Sequence, residues 1–282
     1  MSVLRTSYAL LTVLGLSALA AAPVTAAEAD KANASPHTFT ANIGVVSNYI
    51  FRGLTQTWDK AALQAGVDYS HANGWYAGLW GSSISDKQYA DGWMELDLYG
   101  GYNGKFNDDW GWTVGVLGVY YPSADYHKAT PPPSAKSQSY DNAELNAGIS
   151  YQWVSAKVSV AVTDYFGANS NSGYKEGSKG TTYWDLTANI PLPEETFTKD
   201  VTIPVHIGRT NYTTDTAAGI DPSYTDYKVG ISKTFDGGWN VGAAYTYASN
   251  GALYNNTSSV KNATDRLDLG GSNVLLNLTK IF

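Results

Sequence analysis

Ten ionisable side chains hold most of the polar chemistry open to this chain: Arg52, Asp68, Glu95, Asp97, Glu144, Lys157, Asp185, His206, Asp226 and Lys228. The carboxylates dominate. Set around a water-filled wall, carboxylates form a ring that favours cations and repels anions. A guanidinium among them can instead bridge carboxylates through paired N–H bonds and hold the wall together. Arg52 with Glu95 is the pair expected to do so. The two arrangements can coexist, because one arginine leaves most of the carboxylates free.

Covalent chemistry is poorly served. The absence of Cys removes disulfides, thiolate metal sites and thiol nucleophiles. The four His are scattered, and only His206 falls within a regular segment, with no local Ser or Asp motif. Gly100-Gly101-Tyr102-Asn103-Gly104-Lys105 has the wrong spacing for a phosphate-binding loop and no Ser or Thr after the Lys. No catalytic residue, metal site or cofactor is expected. With 18 Lys and Arg against 25 Asp and Glu, a net charge of −7, the chain is also unsuited to nucleic acid.

The elements that must position these side chains are strands. Apolar residues alternate with polar ones in Phe39-Ala41-Ile43-Val45, Leu63-Ala65-Val67-Tyr69, Met94-Leu96-Leu98 and Trp110-Trp112-Val114-Val116. The same period runs through Ala143-Leu145-Ala147-Ile149-Tyr151, Trp184-Leu186-Ala188-Ile190, Tyr227-Val229-Ile231 and Val274-Leu276-Leu278. Strict alternation marks strands with two different faces, and helical spacing is absent from this region. In all, twelve such segments are legible, each about 9–11 residues long, enough to cross a bilayer at a tilt.

A soluble sandwich would alternate too, so the connections decide. Odd connections are long: 52–59, 82–93, 122–141, 166–180, 211–223 and 248–271. Even ones are mostly short, as at His71–Gly74, Gln152–Trp153 and Asp236–Gly238, with 191–200 the longer exception. An even strand number with long loops at one end and short turns at the other predicts an all-β, antiparallel up-and-down transmembrane β-barrel. Aromatics near the strand ends, among them Tyr49, Phe51, Trp75, Tyr151, Tyr227 and Trp239, match interfacial girdles. Lys280 interrupts the apolar parity near the end and is expected to snorkel to the interface.

Residues 1–26 read as a cleavable export signal: Arg5 opens it, residues 9–22 form an apolar centre, and Val24, Ala26 and Ala27 are small. A short polar lead, 27–36, precedes a barrel over 37–282. The terminal Phe282 resembles the signal read by the outer-membrane assembly machinery. Outer-membrane lipids and lipopolysaccharide are the other expected partners, and the bacterial outer membrane the expected location.

Ser47-Asn48-Tyr49-Ile50-Phe51-Arg52-Gly53-Leu54-Thr55-Gln56 resembles the opening motif of the TorF family of proteobacterial outer-membrane porins. Residues 62–71, 74–82 and Glu95-Leu96-Asp97-Leu98-Tyr99-Gly100-Gly101-Tyr102 extend the match. The resemblance is specific over about residues 40–105 and looser beyond. It implies an outer-membrane porin barrel and supplies no substrate and no catalytic residues.

The face opposite the apolar one would line the lumen. Twelve strands ~4.8 Å apart and tilted ~40° enclose a radius of roughly 12 Å. Gly recurs on that face, including Gly66, Gly78, Gly101, Gly115 and Gly208, either to leave a bore or to ease strand bending. Glu95, Asp97, Glu144, Asp185 and Asp226 lie early in inward-running strands, hence in the outer half, with Arg52 at the top of the first strand. Inward Tyr76, Trp80 and Tyr99 could greet sugars. The expected function is passive diffusion of small hydrophilic solutes with a weak cation preference. The alternative is a non-conducting barrel that presents its long loops for adhesion, and loop 122–141 could fold either inward or outward.

Overall fold

The computed structural model describes residues 35–195 and 197–282, so the expected signal peptide and most of the polar lead lie outside the described residues. Alternation has produced strands where it occurs. They are β1 (His37–Val46), β2 (Ala62–His71), β3 (Trp75–Ser83), β4 (Met94–Lys105), β5 (Trp110–Tyr120) and β6 (Asn142–Tyr151). The second half comprises β7 (Val154–Ala161), β8 (Thr182–Pro191), β9 (Val201–Asn211), β10 (Tyr224–Phe235), β11 (Trp239–Ala248) and β12 (Gly271–Ile281). Each strand pairs antiparallel with its neighbours in sequence, and β12 returns to β1, giving a closed barrel. Closure pairs backbone groups that hydrocarbon could not solvate. Among the described residues no helix is long and apolar enough to cross a membrane. The crossing elements are strands.

The apolar parity faces out. Leu63, Val67, Leu79, Leu98, Val116, Leu145, Leu186, Val229, Val241 and Val274 are all exposed, forming a continuous apolar belt around the wall. Such a belt suits acyl chains, not water. Aromatic pairs flank it: Trp75 packs edge-on against Tyr102 at 5.3 Å and Trp110 lies 4.8 Å from Tyr151, both at the short-turn end. At the other rim Tyr227 and Tyr247 face one another at 6.3 Å. Lys280 snorkels as its position demands. Its ammonium donates to the Gly237 carbonyl and sits beside the rings of Trp239 and Phe282.

The seam is asymmetric. β1 pairs with β2 along its whole length but with β12 only through Asn42–Val46. After Val46 the chain leaves the wall. Ser47 makes the last main-chain bond to β12, its N–H donating to the Leu276 carbonyl while its hydroxyl accepts from the Leu276 N–H. Arg52 is therefore not the top of the first strand, as the alternation suggested. It belongs to a loop.

Candidate functional site: the lumen and the loop inside it

Loop 47–61 folds into the barrel, and its own polar residues set its shape. The Asn48 amide donates to Asp59 Oδ1 at 2.7 Å, while its oxygen accepts from the hydroxyls of Thr55 at 2.6 Å and Thr57 at 3.1 Å. This knot closes a two-stranded ribbon, Ile50–Phe51 against Leu54–Thr55. Its turn is Arg52-Gly53, with φ of 45° and 80°. Positive φ at both central residues is the geometry that matches strand twist in a two-residue hairpin, and Gly supplies it cheaply. A Cβ on Gly53 would also lie 2.5 Å from Cβ of Asp226 and 2.9 Å from Cβ of Ala248, so the turn rests directly on β10 and β11.

From there the loop touches most of the wall. Tyr49 donates its hydroxyl to Glu95 Oε1 of β4 at 2.7 Å. Ile50 packs with Ala244 of β11 and Leu275 of β12. Arg52 donates through two nitrogens to the two oxygens of Glu144 on β6, at 2.8 and 2.7 Å. It also donates to the Tyr165 hydroxyl at 2.9 Å and lies 4.1 Å from the Tyr183 ring centre. The expected partner, Glu95, is thus taken by Tyr49, and the guanidinium bridge forms to Glu144. Tyr49 and Phe51, expected in the lipid girdle, are buried inside instead.

The other long loops close over this one. Loop 121–141 does both things considered for it. Tyr121 stacks on Tyr89 at 4.6 Å and Tyr140 on Tyr126 at 3.8 Å, while Pro131, Pro132 and Pro133 stay exposed. Loop 162–181 sends in Tyr165 and Phe166, the latter edge-on to Phe51 at 5.7 Å. Four ion pairs tie the loops outside: Lys87–Asp265, Lys128–Asp91, Lys175–Asp215 and Lys261–Asp86.

Below the loop the wall keeps some solvent access. Glu95, Asp97, Glu144 and Asp226 are buried, whereas Asp68, Lys157, Asp185, His206 and Lys228 keep intermediate exposure. Most of the carboxylates expected in the outer half are occupied. Asp68 accepts from the Tyr99 hydroxyl at 2.5 Å. Asp185 and Asp226 flank His206, at 3.2 Å from Nδ1 and 2.9 Å from Nε2. Asp97 is fully buried and neither of its oxygens has a hydrogen bond. Lys157 and Lys228 have no hydrogen bond or ion pair among the described residues.

The lumen glycines serve a purpose that neither sequence reading anticipated. A Cβ on Gly78 would meet the Tyr99 ring at 2.4 Å, and one on Gly208 the Tyr183 hydroxyl at 2.1 Å. The Tyr76 hydroxyl lies likewise over Gly101 and Gly115. These glycines are seats for inward tyrosines, which narrow the bore that small residues would have left. Of the tyrosines, Tyr183 was accessible from the alternation beside Trp184. Tyr165 was not, because a loop position carries no periodic signal.

A family model described as "Bacterial protein of unknown function (Gcw_chp)" matches residues 30–282. The chain belongs to that family. No curated protein matches the Gcw_chp chain. Among solved structures, the NanC porin has a TM-score of 0.50 at 12% identity, over 87% of this chain and 100% of that one. The KdgM porin scores 0.49 at 11% identity, over 86% and 99%. OprD of Pseudomonas aeruginosa scores 0.37 at 14% identity, over 88% and 66%. At 12% identity the likeness to NanC concerns the fold alone, a closed antiparallel barrel.

Within this Gcw_chp barrel, His206 is the nearest thing to a reactive centre. The Thr187 hydroxyl lies 2.9 Å from Nδ1 but donates its proton to Asp185 Oδ1 at 3.0 Å, so the imidazole is not placed as its base. Among the described residues no group of three or more His, Asp or Glu is arranged to hold a metal ion. What the arrangement can do is bind and filter. It presents fixed charges, hydroxyls and aromatic faces along the lumen side of the wall.

Proposed function

We propose that the protein is an outer-membrane channel for passive diffusion of small hydrophilic solutes, with loop 47–61 as the element that sets how much passes. The supporting observation is the contrast within one lumen: a polar, partly exposed wall below, and loop 47–61, latched to Glu144 under the other long loops, across the mouth above. A wall meant only as scaffolding would be better packed shut along its full length. The resemblance of residues 40–105 to TorF porins supports the same reading, as does an apolar belt suited to lipid and lipopolysaccharide. Six lumen carboxylates against Arg52, Lys157 and Lys228 favour a weak cation preference, although most of those carboxylates are engaged.

Refolded protein in planar bilayers should carry stepwise current, and Arg52→Ala, which unlatches the loop, should carry larger steps. A salt gradient across the same bilayer should give a reversal potential of the sign expected for cations. If neither protein conducts, the second reading stands: a plugged barrel whose loops, fused by ion pairs into one roof, present a surface to a partner.

A further inference from the structure

We infer that Lys157 and Lys228 form a binding site for the oxyanion group of a permeating solute, a carboxylate or a phosphate. The inference rests on the channel reading and names a class of solute for it. Both lysines belong to the lumen parity and are partly buried, and neither has a hydrogen bond or ion pair among the described residues. An ammonium has three donors and no acceptor, so each can still take up acceptors from water or solute.

The neighbouring strands explain why the lysines are left free. Lys157 is opposite Asp185 in the β7–β8 register, and Lys228 is opposite His206 in the β9–β10 register. The carboxylates that would pair with them, Asp185 and Asp226, are drawn to the two nitrogens of His206 instead. Asp226 is held again by the Tyr183 hydroxyl, and Asp185 by Thr187. On the side of Lys157, Glu144 is taken by both terminal nitrogens of Arg52. Every carboxylate facing the pair therefore has another cationic or hydroxylic partner. His206 thus acts as a positioning residue that keeps the lysines unneutralised by contact.

The spacing suits one small molecule. The two strands are three steps apart, roughly 14 Å along the wall. Side chains that point in from a closed wall converge toward its axis, so the two ammonium groups lie closer together than their strands do. One oxyanion can engage either group by charge-assisted bonds, and a solute of sugar-acid size can reach both. Asp185 faces both lysines and would hydrogen-bond a hydroxyl on the same solute.

The test is current block by gluconate and by inorganic phosphate, with glucose as the uncharged control, on refolded full-length mature protein at low salt. Gluconate and phosphate should each interrupt the current where glucose at the same concentration does not. The half-blocking concentration should rise at least about tenfold in Lys157→Met/Lys228→Met, and Lys157→Arg/Lys228→Arg should retain the block. Lys199→Met, in an exposed turn at the short-turn end, should block like the parent. Equal block by glucose, or undiminished block in the double Met variant, overturns the inference. Should no protein conduct, the channel reading fails separately. Calorimetric titration of the detergent-solubilised protein with gluconate then decides: heat lost in the double Met variant upholds the site, and no heat with the parent overturns it.

Discussion

Arg52 and Glu144, 92 residues apart in the chain, meet through two hydrogen bonds of 2.8 and 2.7 Å with both side chains under a tenth exposed. One partner is in a loop and the other in the wall, so the pair is a latch. Removing one member of a buried pair strands the other charge, at a cost of about 3–5 kcal/mol. Arg52→Met should therefore lower stability to urea in lipid vesicles by about that amount. Adding Glu144→Gln should restore more than half of it, because nothing charged is then left behind. Tryptophan fluorescence of the folded barrel follows both, and equal loss in single and double variants would show the latch to be energetically idle.

Asp97 presents the opposite case. Its carboxylate is fully buried beside Glu95, with no hydrogen bond to either oxygen. A buried polar group without partners costs about 1–3 kcal/mol, more when charged. Asp97→Asn keeps the shape, removes the charge and supplies an N–H donor beside Glu95 Oε2, which also has no hydrogen bond. It should raise the urea midpoint by an amount worth at least about 1 kcal/mol. A lower midpoint would mean that the charge of Asp97 is held by something the wall itself does not supply.

How much of this was legible beforehand follows from the range of each signal. Period-two alternation is local, so Leu63, Val67 and Leu98 revealed the lipid face and Asp68 and Tyr99 the lumen without any tertiary knowledge. The unequal lengths of connections exposed the closed meander in the same way. Tyr49 and Phe51 misled because they continue the parity of Phe39 to Val45 past the point where the strand ends. Whether such aromatics serve lipid or a plug depends on whether β12 offers them a pairing edge, and it pairs with β1 only as far as Val46. The partner of Arg52 was hidden for a related reason. Glu95 and Glu144 are equivalent in local pattern, and only the path of loop 47–61 chooses between them.

Gly78 tests the idea that lumen glycines seat tyrosines. The Tyr99 ring occupies the space a methyl would take, 2.4 Å from an added Cβ, and its hydroxyl is bonded to Asp68. Gly78→Ala should displace the ring and cost about 1–3 kcal/mol by overpacking. Tyr99→Leu in the same background should recover part of it, since the smaller side chain vacates the seat. An alanine as stable as the parent would mean instead that Gly78 is there for backbone bending.

Acid should loosen the long loops before the barrel itself. Burial pushes the carboxyl of Asp125, outside the spanning strands, upward, but the Ser137 hydroxyl and the N–H groups of Gln138 and His127 together outweigh it and hold the group below the usual carboxylate range. A carboxyl lowered in the folded state contributes stability that is present above its ordinary range and lost as pH falls through its folded value. Loop 121–141 should thus stay protected from protease at neutral pH. It should become cleavable near the exposed Pro131–Pro133 tip as the pH drops below the ordinary carboxylate range of about 4. Asp125→Asn should make cleavage rapid at neutral pH already and abolish its pH dependence over that window. Pepsin, active at low pH, and a neutral protease can be compared on parent and variant, with heat resistance of the barrel in detergent gels as the control. Unchanged protection of the variant loop at neutral pH would show that the aromatic stack of Tyr126 on Tyr140, and not the carboxylate, holds the segment.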